Sequence, residues 1–188
     1  MFKFDLEQID EMLTEDEIYM LSWMYMDKHK VKEYYKLSDK GAERLKKMIS
    51  LLMKIPDENF VITQWVNKKL RDGNTIQKIL EDVRDRSCGT AACAGGWACT
   101  DPDFIEQGLM LRKAWGDRVA PVYNGYKGLQ AMAAFFEIPS MVADELFDSD
   151  WYEDKYRLEE PEEVTPAMVA EQLQKFLEEF YDGKDTSS

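Results

Sequence analysis

The stretch 164-VTPAMVAEQLQKFLEEF-180 decides the fold class. Thr165 carries the short polar side chain that accepts a hydrogen bond from the free amides of a first helical turn, and Pro166 takes the first helical position, where its missing N–H is no loss. Val169, Leu173, Phe176, Leu177 and Phe180 then return at the spacing of a single helix face. The segment predicts an amphipathic helix that must bury that face.

The same pattern recurs upstream. In 37-LSDKGAERLKKMISLLMKIP-56, Ser38 caps, Ala42, Leu45, Ile49 and Leu52 share a stripe with lysines opposite, and Pro56 ends the helix. In 75-TIQKILEDVRD-85 the stripe is Ile76, Ile79, Leu80 and Val83, with Asn74 as cap and Gln77 at the capping-box position. The run 129-LQAMAAFFEIPSMVADELF-147 predicts two helices broken at Ile138-Pro139, the second capped by Ser140. Near the front, Thr14, Glu17, Leu13 and Ile18 supply a cap, a capping box and a staple for a helix from about Glu15, apolar nearly all round over Ile18 to Met26. The expected fold is mainly α: a helical domain of about six to seven helices over residues 1–183, with 1–58 as a helical extension, 59–183 as the core and 184–188 as a polar tail. At most a two-stranded β element is added, drawn from Val61 to Val66 and Val119 to Tyr123; the Asn124-Gly125 pair favours a turn beside it.

With 45% hydrophobic and 12% aromatic residues over 188 positions, the chain can bury a core without disulfide or metal staples. The opening "MFKFDLEQIDEML" is acidic where a signal peptide would be basic and apolar, and no run of about 18 apolar residues follows. Three cysteines are an odd count, which points to a reducing compartment, the cytoplasm. No membrane partner is expected. The net charge of −13 is uneven: Asp144 to Ser188 holds 15 acidic and 4 basic residues, whereas Lys28 to Arg71 holds 12 basic and 5 acidic ones. The chain is electrically polar.

Composition turns unusual at 88-CGTAACAGGWAC-99. Zinc favours a tight Cys-x-x-Cys knuckle, but here the gaps are four and five residues, and the only histidine, His29, is distant. Neither a metal nor another cofactor is expected. A cysteine nucleophile needs a base or cation to form thiolate; Cys88, placed before what reads as a helix start, is the one candidate catalytic residue. Packing explains more: Cys93 is a small buried hydrophobe, and Gly95 and Gly96, each costing roughly 1 kcal/mol against Ala in an exposed helix, argue for close approach of another helix beside Trp97.

The order of "ENFVITQW", "CGTAACAGGWA", "PDF", "GLQAMAAFFEIP", "ADELFD" and "VTPAMVAEQLQKFL" resembles a diffuse group of small bacteriophage and bacterial proteins sharing a Cys-Gly-Thr-x-x-Cys-x-x-Gly-Trp-Ala core. The likeness covers about residues 59–180, and Cys88, Gly89, Thr90, Cys93, Gly96, Trp97 and Ala98 match the core. That group has no assigned activity, so the resemblance implies a compact helical domain and a phage origin, and no reaction. The chain departs from it by inserting "VNKKLRDGNTIQKILEDVRDRS" and by about 58 residues at the front.

The function that follows is a non-enzymatic acidic interaction protein that binds or modulates a host protein in the host cytoplasm. Its candidate partner surface is Asp148, Asp150, Trp151, Tyr152, Glu153, Asp154 and Tyr156, where aromatic and acidic residues alternate. Two alternatives stand beside it, a cysteine-dependent enzyme using Cys88 and a DNA-mimic inhibitor. Nucleic acid is disfavoured as a partner of the basic block 28–71: "YYKLSDKGAERL" resembles the end of a winged-helix domain, but no recognition-helix pair precedes it. No motif fixes an oligomeric state.

Overall fold

The structure, a computed structural model, describes residues 35–70, 73–87, 89–114 and 116–181. The helix expected from Glu15, His29, the first lysines of the basic block, Arg71, Cys88 and the 184–188 tail lie outside the described residues. The chain divides into two units, Met1–Lys36 and Leu37–Ser188. The second is described here, and it takes in residues 37–58 together with the stretch from 59 onward.

Ser38 Oγ accepts from the Gly41 amide at 2.9 Å and opens α1, Asp39–Leu52. Its Ala42, Leu45, Met48 and Leu52 are wholly buried, while Ile49 is only half-buried, so the stripe turns slightly from the expected one. The last helix of the unit, Pro166–Phe180, packs along α1; it begins as expected, with Thr165 Oγ1 accepting from the Met168 amide at 3.3 Å. Two hydrogen bonds tie its end back to α1: the Leu37 amide donates to the Phe180 carbonyl at 2.9 Å, and Tyr181 Oη donates to Asp39 at 3.1 Å.

Between them come α2 (Ile76–Arg84), α3 (Ala94–Ala98), α4 (Pro102–Glu106), α5 (Leu129–Phe136), α6 (Ser140–Phe147) and α7 (Ser149–Tyr156), which makes Pro166–Phe180 α8. The fold is mainly α, with eight α-helices among the described residues. Two caps move by one residue. Thr75, not Asn74, caps α2 through the Lys78 amide, because the Asn74 amide is turned back onto the Lys69 carbonyl. Pro139 holds the cap position of α6 at φ −62° and ψ 150°, so Ser140 is already helical.

The β element has three strands, not two: β1 Met110–Lys113, β2 Val119–Tyr123 and β3 Tyr126–Lys127, antiparallel in that order. Asn124 and Gly125 both take positive φ in the β2–β3 turn, which is what the Asn-Gly pair favours. Residues 61–66 form no strand. Their backbone runs beside residues 91–93 through scattered hydrogen bonds, Val61 N–H to Ala92 O and Cys93 N–H to Gln64 O, with one parallel bridge at Phe60–Ala92. β2 therefore finds its partner in β1 instead.

The core centres on Phe104, Phe135, Phe136 and Phe147, whose rings meet edge-to-face at 5.1–6.0 Å except for a stacked Phe136–Phe147 pair. Arg44 of α1 closes this cluster from within the core. Its guanidinium lies 4.1 Å from the Phe135 ring centroid, and it donates to the Phe135 carbonyl and, at 2.7 Å, to Gln107.

Candidate functional site

The cysteine corner is built from backbone. Gly89 takes φ 70°, and the chain from 89 to 91 is gripped by two asparagines: Asn67 donates to the Gly89 carbonyl at 2.8 Å and accepts from the Ala91 amide at 3.0 Å, while Asn59 donates to the Thr90 carbonyl at 3.1 Å. Thr90 Oγ1 is buried with no hydrogen-bond partner among the described residues. The helix expected soon after Cys88 begins only at Ala94, with Cys93 at its cap position and making no side-chain cap bond. Of the two cysteines among the described residues, Cys93 is thus the one at a helix start.

Its surroundings do not favour thiolate. Burial pushes the Cys93 thiol up to about 11, against the pull of the Gly96 and Gly95 amides, and burial likewise pushes Cys99 upward. Both thiols are free and buried. At neutral pH they are protonated, small and apolar in behaviour.

Trp97 is buried and its Nε1 donates to the Asn59 carbonyl at 3.1 Å. The close approach expected at the glycines is present, and Gly95 meets another helix through Met132, but the tighter contact at both glycines is with the loop at Trp65. A Cβ on Gly96 would overlap the Trp65 carbonyl oxygen and fall 2.9 Å from its carbon; one on Gly95 would lie 2.6 Å from the Trp65 ring and 3.1 Å from the Met132 sulfur in α5. Sequence reasoning did not single out Asn59, Asn67 or Trp65. Asn59 and Trp65 belong to the "ENFVITQW" segment that accompanies the cysteine core in the resemblance, which was the available signal.

A cavity of about 160 Å³ joins this corner to the acidic region, with Cys93, Thr63 and Gln64 on one side and Phe147, Asp148 and Ser149 on the other. Beyond it the expected partner surface divides. Tyr152 is wholly buried, not exposed, because it shares a helix face with Tyr156, four residues on, and its Oη donates to the Leu146 carbonyl of α6 at 2.9 Å. Burial holds its phenol well above the ordinary value. Tyr156 stacks on Tyr152 at 6.2 Å and accepts from the buried Gln172 at 2.5 Å. Trp151 is half-buried under the Lys155 ammonium, 4.1 Å from its centroid, and Lys155 also reaches Gln172. Tyr152 is therefore an internal anchor, and Trp151 and Tyr156 stay half-buried beside it. The carboxylates remain outside: Asp150, Asp154, Glu159, Glu160, Glu162 and Glu163 are exposed, with Asp148 and Glu153 half-buried. Partial desolvation, with Asp150, Asp154, Glu160 and Glu162 around it, raises the Glu153 carboxyl.

Among the described residues no group of three or more His, Cys, Asp or Glu is arranged to hold a metal ion, and no helix is long and apolar enough to cross a membrane. Compared with known protein families, curated proteins and solved structures, the chain shows no match.

Proposed function

We propose that this chain is a non-enzymatic interaction protein, phage-encoded and acting in the host cytoplasm, which uses the acidic face of α7 and the turn at Pro161–Glu163 to engage a basic surface of a host protein. The observation that supports this reading is the run of exposed carboxylates on one stretch of surface, Asp150 and Asp154 on α7 and Glu159, Glu160, Glu162 and Glu163 after it. Of their aromatic neighbours Tyr152 is buried, while the half-buried Trp151 and Tyr156 are held by Lys155 and Gln172. A preformed field of this kind favours association rate and selectivity for a cationic partner over any oily contact. The thiol alternative gains nothing from Cys93, whose proton is held by burial.

The test is affinity capture from host lysate with the whole chain, alongside a variant carrying Asp150→Lys, Glu153→Lys and Asp154→Lys. A partner held by the first and lost by the second, with the loss imitated by added salt, supports the reading. Equal capture by both overturns it.

A further inference from the structure

A second concavity lies on a different part of the unit, where the ends of α1 and α2 meet the α3–α4 junction. It is a cleft of about 260 Å³ with an apolar floor of Leu51, Ile55, Trp97 and Pro102 and a rim of Lys54, Arg84 and Arg86. We propose that this cleft binds a small phosphate monoester, with its phosphate on the three cations and a compact flat body over Trp97.

Charge carries the argument. Among the described residues Lys40, Arg44, Lys47, Lys78 and Lys175 pair with carboxylates, whereas Lys54, Arg84 and Arg86 have no ion-pair partner there, and what marks the cleft is that these three cations share its one rim. The one carboxylate in the cleft, Asp101, is committed elsewhere, accepting from the Asp103 and Phe104 amides as cap of α4 and pairing with Lys47 at 2.9 Å. Three unneutralised positive charges suit a dianionic phosphate better than a singly charged carboxylate, and guanidinium forks match phosphate oxygens.

Arg86 adds a second strand to the argument. It sits just past the end of α2 at φ 52°, a left-handed position that glycine fills at no steric cost, and it donates to the Lys54 carbonyl at 2.9 Å. That bond uses one of five donors and ties the head group to the rim. The floor is equally fixed, since Trp97 is anchored through Nε1 to Asn59 and Thr100 through its hydroxyl to the Trp97 carbonyl at 2.7 Å. The volume lies just below the roughly 300–1,000 Å³ of sites for drug-sized ligands, which sets the ligand's body at about one ring.

The experiment titrates the full chain with phenyl phosphate, inorganic phosphate, benzoate and phenol, reading heat of binding and the Trp97 indole N–H resonance, assigned with Trp97→Phe. Saturable binding of phenyl phosphate that shifts this resonance is expected, with each of the other three weaker by about tenfold or more, because each lacks a charge-assisted bond or the apolar contact. Lys54→Ala with Arg84→Ala, both exposed side chains, should weaken phenyl phosphate by a similar factor while the circular dichroism is unchanged; Leu51→Trp, which fills the floor, should block it. The triple charge reversal on α7 should leave this binding intact, so this proposal and the partner reading fail separately. No binding up to millimolar concentration, equal binding of inorganic phosphate, benzoate or phenol, or undiminished binding by the double variant overturns the proposal.

Discussion

The carbonyl oxygen of Trp65 occupies the place that a β-carbon at Gly96 would need. A loop backbone is thereby pressed directly onto a helix backbone, and the cysteine motif becomes the seam between them. Gly96→Ala should destabilise the protein by about 1–3 kcal/mol, since the backbone at Trp65 is held on both sides, at the Gln64 carbonyl by the Cys93 amide and at the Asn67 amide by the Ala91 carbonyl. Gly95→Ala should cost less, because it meets a tryptophan ring edge and a methionine thioether that can shift. Chemical denaturation of the two variants ranks them; the reverse order would show that the seam gives way at residue 65.

The thiols supply a test by pH and by reagent. A thiol whose folded value is raised from 9.0 to about 11 keeps its proton in the folded state longer than in the unfolded one. Its stabilising contribution is full below pH 9 and lost as pH rises through 11. Cys93→Ala should flatten that alkaline decline. Iodoacetamide at neutral pH should leave Cys93 and Cys99 unmodified until the chain unfolds; rapid labelling of either, located by mass spectrometry, would contradict their burial.

Glu137 gives the opposite sign. It ends α5 at φ 54°, and burial tends to raise its carboxyl, but Ser38, Lys40 and Arg44 outweigh burial and hold it below the ordinary range. Its contribution is present above the unfolded value of 4.5 and lost as pH falls through the lower folded one. Glu137→Gln should remove part of the acid sensitivity of unfolding. Arg44→Met should cost about 1–3 kcal/mol at neutral pH by leaving the buried Phe135 carbonyl without its donor.

On α7, Tyr152→Phe should cost about 1 kcal/mol through the Leu146 carbonyl it abandons. The triple reversal of Asp150, Glu153 and Asp154 should change stability little, within about 0.5 kcal/mol, and added salt should raise the melting temperature of the unaltered protein more than that of the variant. Large destabilisation on reversal would mean that these carboxylates hold the fold.

Helix content was legible in the residues because caps and apolar stripes act over a few positions. Thr165 with Pro166, Ser38 in front of Ala42 and Leu45, and the Asn124-Gly125 turn each specify local geometry that the rest of the protein keeps. What depended on distant partners was not legible. That β2 pairs with residues 110–113 while 61–66 lie against 91–93 is decided by which backbone amides each segment must satisfy once packed. That Tyr152 points inward while Asp150 and Asp154 face out follows from how α7 packs, and no local pattern in 148-DSDWYEDKY-156 announces it. Likewise Lys54, Arg84 and Trp97 meet at one cleft only because α1, α2 and α3 converge there. Short-range hydrogen bonding and periodicity belong to the sequence; the pairing of backbone groups across the core, and the surfaces left over by it, belong to the tertiary structure.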